Sequence, residues 1–178
     1  ENYTTSVVGS VNVYKRQSLM WIEPGKPVSL ADLERGVVIS SGNDASVAVA
    51  EHLAGTESSF VDVMNQLAAE LGLNNTVYRN PHGLPHPEHR TTSRDLATLS
   101  VALINGHPEH YRIYQEQSFT YNGIKQYNRN SLLRSDATVD GLKTGYTSEA
   151  GYGLVASAQR EDMRLVSVVL GSASKRTR

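Results

Sequence analysis

Apolar positions recur at helical spacing through the first two thirds of the chain and alternate in the last third. Phe60, Val63, Met64, Leu67, Ala68 and Leu71 follow i, i+3, i+4, i+7, i+8 and i+11. That spacing predicts a helix with one buried face, capped by Ser58 or Ser59 and stopped by Gly72. Three more helices are predicted on the same grounds. Ser29 opens one, with Asp32 as its capping partner, Leu30, Leu33 and Val37 inside, and a run on into Val38-Ile39-Ser40-Ser41. Asn43 or Asp44 caps the next, apolar at Ala45, Val47, Ala48, Ala50 and Leu53 and ended by Gly55. Thr92 caps the last, with Asp95 three residues on, Leu96, Leu99, Leu103 and Ile104 inside, and Gly106 as its stop. Ser18 to Ile22 predicts a short strand halted at Glu23-Pro24-Gly25, and Asn74 to Arg90 a long connection. Glu1 to Gln17 has no helical period and predicts extended or loop structure.

From Ser118 the period falls to two. Phe119 to Tyr127 predicts a hairpin turning at Asn122-Gly123. Val139 to Tyr146 is a further strand, followed by Tyr152 to Ala158 and Arg164 to Leu170 as antiparallel partners joined by Gln159 to Asp162. Helices first and an antiparallel meander last predict an α+β fold. The expected organisation is a single domain over residues 1–178, with a helical part about 28–117 and a sheet part about 118–172.

Composition narrows the function by exclusion. A net charge of −1 gives no electrostatic footprint for nucleic acid. No apolar run approaches the roughly 20 residues of a membrane span. Glu1 to Val13 lacks the basic start and apolar block of a signal peptide. With no Cys, disulfides and thiol catalysis are excluded and the redox compartment stays open.

The chemistry gathers in two short stretches about a hundred residues apart. Lys143-Thr144-Gly145 ends the predicted strand with an ammonium, a hydroxyl and a residue that admits close backbone approach, a grip suited to a carboxylate. Ser41-Gly42-Asn43 stands upstream, where those residue types also serve as a helix stop and the next cap. Ser-x-Asn followed by Lys-Thr-Gly is two thirds of the signature S-x-x-K, S-[DG]-N, K-T-G. His82, His86 and His89 invite a zinc reading, but Pro85 and Pro87 break any common helical face and no His-Glu-x-x-His frame exists, so a solvated loop is expected.

Ser41-Gly42-Asn43, Asn80-Pro81-His82-Gly83-Leu84, Tyr121-Asn122-Gly123-Ile124, Asn128-Arg129-Asn130 and Val139 to Gly145 stand in the order found in D-alanyl-D-alanine carboxypeptidases. The chain resembles these low-molecular-mass penicillin-binding proteins from about Tyr14 to Arg178. The resemblance implies a β-lactamase/DD-peptidase-like α+β fold with a cleft between Ser41 and Lys143, probed by peptidoglycan stem peptides ending in D-Ala-D-Ala and by β-lactams. It implies acyl-enzyme chemistry without metal or organic cofactor, in the bacterial periplasm or cell envelope. By the same resemblance, Ser41 passes a proton toward the leaving amine and Asn43 orients the nucleophile's lysine and the substrate amide. Lys143, Thr144 and Gly145 form the carboxylate grip, and the Tyr146 N–H is an oxyanion donor. His82 lies on a loop near the cleft, and Arg178 matches a basic residue just after the last strand.

One element of the signature is missing from the expected place. The sole S-x-x-K is Ser172-Ala173-Ser174-Lys175, after the final strand and without an apolar helix to bury it. The nucleophile is therefore expected on an absent upstream segment or another chain, leaving an apolar groove and an incomplete domain. Covalent labelling of this chain alone by penicillin is expected to be very slow or nil. The alternative is a non-catalytic module that binds stem peptides or β-lactams reversibly. A β-lactamase of class A type would need a deacylating Glu between the two triplets, and no such frame is present.

Overall fold

The computed structural model describes residues 4–6 and 18–178. The extended or loop structure expected for Glu1 to Gln17 otherwise falls outside them. β1 (Thr4–Ser6) pairs antiparallel with β2 (Pro27–Ser29). Ser29 then caps α1 (Leu30–Arg35): its hydroxyl accepts from Asp32 N and donates to the Asp32 carboxylate, satisfying a free donor of the first turn. α1 runs into one turn of π-helix, Gly36–Ser40, and then α2 (Asn43–Ala54) and α3 (Glu57–Glu70). The caps of α2 and α3 are Gly42 and Thr56, one or more residues before those expected from sequence. Thr56 wins because its own hydroxyl accepts from Ser59 N.

The long connection after α3 is drawn in by polar anchors. The Asp95 carboxylate accepts from Asn75 N and the Thr76 hydroxyl, and Val77 bridges Arg90. α4 (Ser93–Gly106) is capped by Thr92 as expected. α5 (Pro108–Tyr111) and a 3-10 turn, Arg112–Gln115, lead to the hairpin of β3 (Ser118–Tyr121) and β4 (Ile124–Tyr127). Both turn residues, Asn122 and Gly123, have positive φ, the conformation that an Asn-Gly turn supplies at little cost. A short α6 (Leu132–Ser135) precedes the main sheet.

That sheet is the antiparallel meander β5 (Val139–Thr147), β6 (Gly151–Arg160) and β7 (Met163–Ser172), in the order β5-β6-β7. β5 is therefore an edge strand among the described residues. Lys143 pairs with Val155 and Gly145 with Gly153, so these four share one sheet face. The main core sits under the helices, built on Met20, Ile22, Val28, Leu33, Ile39, Ala45 and Phe119.

Two expectations are corrected. Ser18 to Ile22 is not a strand; its backbone N–H groups are taken by a carboxylate instead of a neighbouring strand. The apolar stripe of α3 is also not wholly inside. Only Val61 and Ala68 are buried, while Val63 and Leu67 are exposed. On α4 the buried residues are Asp95 and Ser100, with Leu96, Leu99 and Leu103 half-buried and Val101 exposed. Among the described residues, no helix is long and apolar enough to cross a membrane.

Candidate active site

Ser41 follows the π-turn in left-handed conformation, φ 58° and ψ 41°, with its N–H donated to Gly36 O. A non-glycine residue held there is a feature that clusters at functional sites. Its position is fixed from both sides. A Cβ on Gly42 would come within 3.0 Å of the Met20 backbone nitrogen and 2.9 Å of Asp44 Oδ1, so only glycine admits this approach. Asp44, 3 % exposed, accepts from the N–H groups of Met20, Trp21, Ile22 and Ala45 at 2.8–3.2 Å. Asn43 N donates to Ser18 O, and Asn43 is the first residue of α2. One carboxylate thus ties Met20 to Ile22, the start of α2 and the Ser41 turn into one unit.

Lys143 comes to this unit from the sheet. Its ammonium donates to Ser41 Oγ at 2.5 Å and to Thr144 O at 2.9 Å. Burial, then the charges of Arg129 and Arg178, lower its pKa to about 8. The Arg178 guanidinium donates to Gly153 O and Arg129 O, both at 3.4 Å, and lies over the Tyr152 ring. Three cations therefore converge on the middle of β5 with a serine hydroxyl beside them. This is an electropositive, partly dehydrated seat for a small anion.

β5 itself is pinned in place. Asn130, 1 % exposed, donates to Gly141 O, which joins the Asn128-Arg129-Asn130 turn to the strand. The Tyr111 hydroxyl and Arg164 both bind the Asp140 carboxylate, and Arg164 also reaches Ser157 Oγ at 2.7 Å.

The other predicted site residues fall as follows. Thr144 is half-buried, and Gly145 is exposed with nothing within 4 Å of where a Cβ would stand. Tyr146 is exposed and stacks on Tyr152 at 4.3 Å. His82 faces α3, its Nε2 3.7 Å from the Glu57 carboxylate and its Nδ1 accepting from Leu84 N; it makes no polar contact with Ser41 or Lys143. Burial lowers the His82 pKa, which favours the neutral ring at physiological pH. The Ser172 and Ser174 hydroxyls bond within the terminal turn to Thr177, away from Lys175. Among the described residues no cluster of three potential metal ligands occurs.

Sequence reasoning missed Arg129 and Asp44 as parts of the site. Arg129 stood in a motif noted for its order alone, while its charge beside Lys143 is the sort of signal that could have found it. Asp44 was weighed only as a helix cap, because nothing in one sequence tells which backbone a carboxylate will collect.

Comparison with solved structures defines the class. The chain superposes on penicillin binding protein 5 from Haemophilus influenzae with a TM-score of 0.90 and 48 % identity, covering 92 % of this chain and 48 % of that one. For penicillin binding protein 6B from Escherichia coli the TM-score is 0.89 at 47 % identity, covering 94 % and 53 %. The penicillin-binding-protein fold is thereby established. The family profile of D-alanyl-D-alanine carboxypeptidase matches residues 2–174, and the chain belongs to that family. It is 52 % identical over 162 residues to D-alanyl-D-alanine carboxypeptidase DacC of Escherichia coli K12, covering 90 % of this chain and 40 % of that protein. The chain spans about 40 % of the length of such curated relatives.

Proposed function

We propose that the chain is the substrate-holding part of a serine-type D-Ala-D-Ala carboxypeptidase that trims peptidoglycan stem peptides in the bacterial periplasm and binds β-lactams. The observation that carries this is the contact of Lys143 with Ser41 beside Arg129 and Arg178 at the edge of a sheet. A peptide added along the free edge of β5 sets its terminal carboxylate among these cations, with Thr144 as a hydroxyl donor. Its upstream residues then run antiparallel toward Tyr146 and Thr147. A related solved structure, penicillin-binding protein D2 from Listeria monocytogenes, is described in its cefotaxime-bound form at 31 % identity and a TM-score of 0.86.

In the chemistry, a serine hydroxyl adds to the carbonyl between the two D-alanines and the C–N bond breaks. Ser41, hydrogen-bonded to Lys143, hands the departing amine its proton; the Tyr146 N–H steadies the oxyanion, and water later releases the acyl group. Asn43 orients the attacking group's lysine and the substrate amide. The attacking Ser-x-x-Lys pair is assigned to a further segment or a second chain.

The test is incubation with fluorescent penicillin, followed by a denaturing gel and by competition with a D-Ala-D-Ala peptide. Reversible, competed binding with little or no covalent band from this chain alone is expected. Absence of any binding overturns the reading. A stoichiometric band mapping to Ser41 overturns its assignment as proton carrier.

A further inference from the structure

Near its start, β5 carries one residue more than the strand beside it. Val139 pairs with Ala158 and Gly141 with Ser157, so Asp140 has no partner on β6 and forms a bulge. From there the ladder is regular, with Leu142 opposite Ala156 and Lys143 opposite Val155. Closing the bulge by pairing Asp140 with Ser157 would move Lys143 one place along, opposite Leu154. A slip of one residue turns every side chain of a strand to the other face. The Lys143 ammonium would then point away from Ser41.

Such a slip would fall on Lys143 and not on the residues before the bulge, which are tied down. Thr138 O accepts from Gln159 N, and Arg160 donates to Thr138 Oγ1 and to the Asp136 carboxylate. Beyond Lys143 only the turn Ser148 to Ala150 has to yield.

Asp140 is held out of the ladder from two elements. Arg164 of β7 donates to its carboxylate at 2.7 Å. The same nitrogen donates to Ser157 Oγ at 2.7 Å, the residue that a closed bulge would set opposite Asp140. The Tyr111 hydroxyl of α5 adds a bond at 2.9 Å, and burial raises its pKa, so it stays a donor. Tyr111 reaches Asp140 because residue 141 is glycine; a Cβ there would stand 2.6 Å from the hydroxyl oxygen. Ser157 and Tyr111 are both buried, so these bonds are made largely out of water, where they are strong.

Resting on the reading of Lys143 as the carboxylate anchor, we infer that Asp140, Arg164 and Tyr111 are positioning residues: by holding the bulge they set the register of β5, and with it the face from which Lys143 meets Ser41. Among the described residues the Lys143 ammonium bonds to Ser41 and Thr144, so the effect of the three passes through the strand.

NMR titration of the Lys143 ammonium in Asp140→Ala and Arg164→Ala tests the inference without a ligand. In the unmodified chain Lys143 titrates near pH 8, buried beside Arg129 and Arg178. In both variants the midpoint is expected to rise toward 10.5, and the cross-strand contact of Lys143 with Val155 to weaken. The two changes remove opposite charges, so a rise common to both reports where Lys143 sits and not the field of the lost group. Tyr111→Phe deletes one oxygen and is expected to move the midpoint the same way by less; it decides the matter where a larger change prevents folding. Arg35→Ala breaks an ion pair of similar exposure, with Glu116, that bonds to no residue of β5; it is expected to leave the midpoint near 8. In parallel, the preference for acetyl-D-Ala-D-Ala over its C-terminal amide is expected to fall about tenfold in Asp140→Ala and Arg164→Ala. A midpoint that stays near 8 in both folded variants, or that rises equally in Arg35→Ala, overturns the inference. A risen midpoint with an undiminished preference for the acid overturns it too. Failure of the unmodified chain to bind the dipeptide overturns the proposed function, and the Lys143 titration then decides the register by itself.

Discussion

The ammonium of Lys143 rests 2.5 Å from the hydroxyl oxygen of Ser41, across 102 residues of chain and between the helices and the sheet. A cation so placed, half-buried and faced by Arg129 and Arg178, is held against both desolvation and like charge. Such an arrangement is costly until an anion arrives, which is the behaviour expected of a binding site rather than of a structural ion pair.

That cost has a sign. The folded pKa of Lys143, about 8, lies below its ordinary 10.5, so between these values the folded chain binds fewer protons than the unfolded chain. Charged Lys143 therefore opposes folding fully below pH 8, and the penalty is relieved as pH rises toward 10.5. Lys143→Met is expected to raise stability at pH 7 by on the order of 1 kcal/mol, and the gain is expected to shrink between pH 8 and 10.5. Urea denaturation across that range checks it; a variant less stable at pH 7, or a constant difference, goes against the electrostatic account.

Asp44 gathers four backbone donors at the base of the site. Asp44→Ala leaves them buried and unpaired, and the expected loss is about 2–4 kcal/mol. Trp21, the only tryptophan, is one of the four donors and is exposed, so its emission reports on this segment directly. A small loss with unchanged Trp21 emission would mean that the clamp is not holding the Ser41 turn.

Gly141 lies against the Tyr111 hydroxyl, which would stand 2.6 Å from any Cβ there. Gly141→Ala is expected to push Tyr111 from Asp140 and cost roughly 1–3 kcal/mol by overpacking. Restoring room with Tyr111→Phe is expected to recover part of the loss. Additive penalties in the double variant would place the strain elsewhere.

Arg164→Ala leaves the Asp140 carboxylate with only the Tyr111 hydroxyl and empties the contact with Ser157. Because both ionic side chains are largely covered, a loss of about 1–3 kcal/mol is expected. A double-mutant cycle with Asp140→Asn should show coupling. Independent effects would reduce this network to ordinary surface charge.

Much of the fold was legible because its signals are local. The Ser29 and Thr92 caps, the Asn122-Gly123 turn and the alternation of β5 to β7 each follow from a few neighbouring residues. Ser18 to Ile22 has strand composition yet pairs with a side chain from another part of the sequence, which no period can reveal. The stripe of α3 marked the helix but not its buried residues, because the period cannot tell which part of the helix the rest of the chain covers. At the site, Ser41 and Lys143 were found as motifs, whereas Arg129, Asp44 and the bulge at Asp140 depend on contacts between distant residues.

Calorimetric titration with acetyl-D-Ala-D-Ala, set beside its C-terminal amide and repeated in Lys143→Met, tests the central claim most directly. The account predicts that the free acid binds about tenfold or more tightly than the amide. It also predicts that this advantage disappears in the variant and, in the unmodified chain, fades as pH rises through about 8. Equal affinity for acid and amide, or an advantage that survives the loss of Lys143, would contradict it.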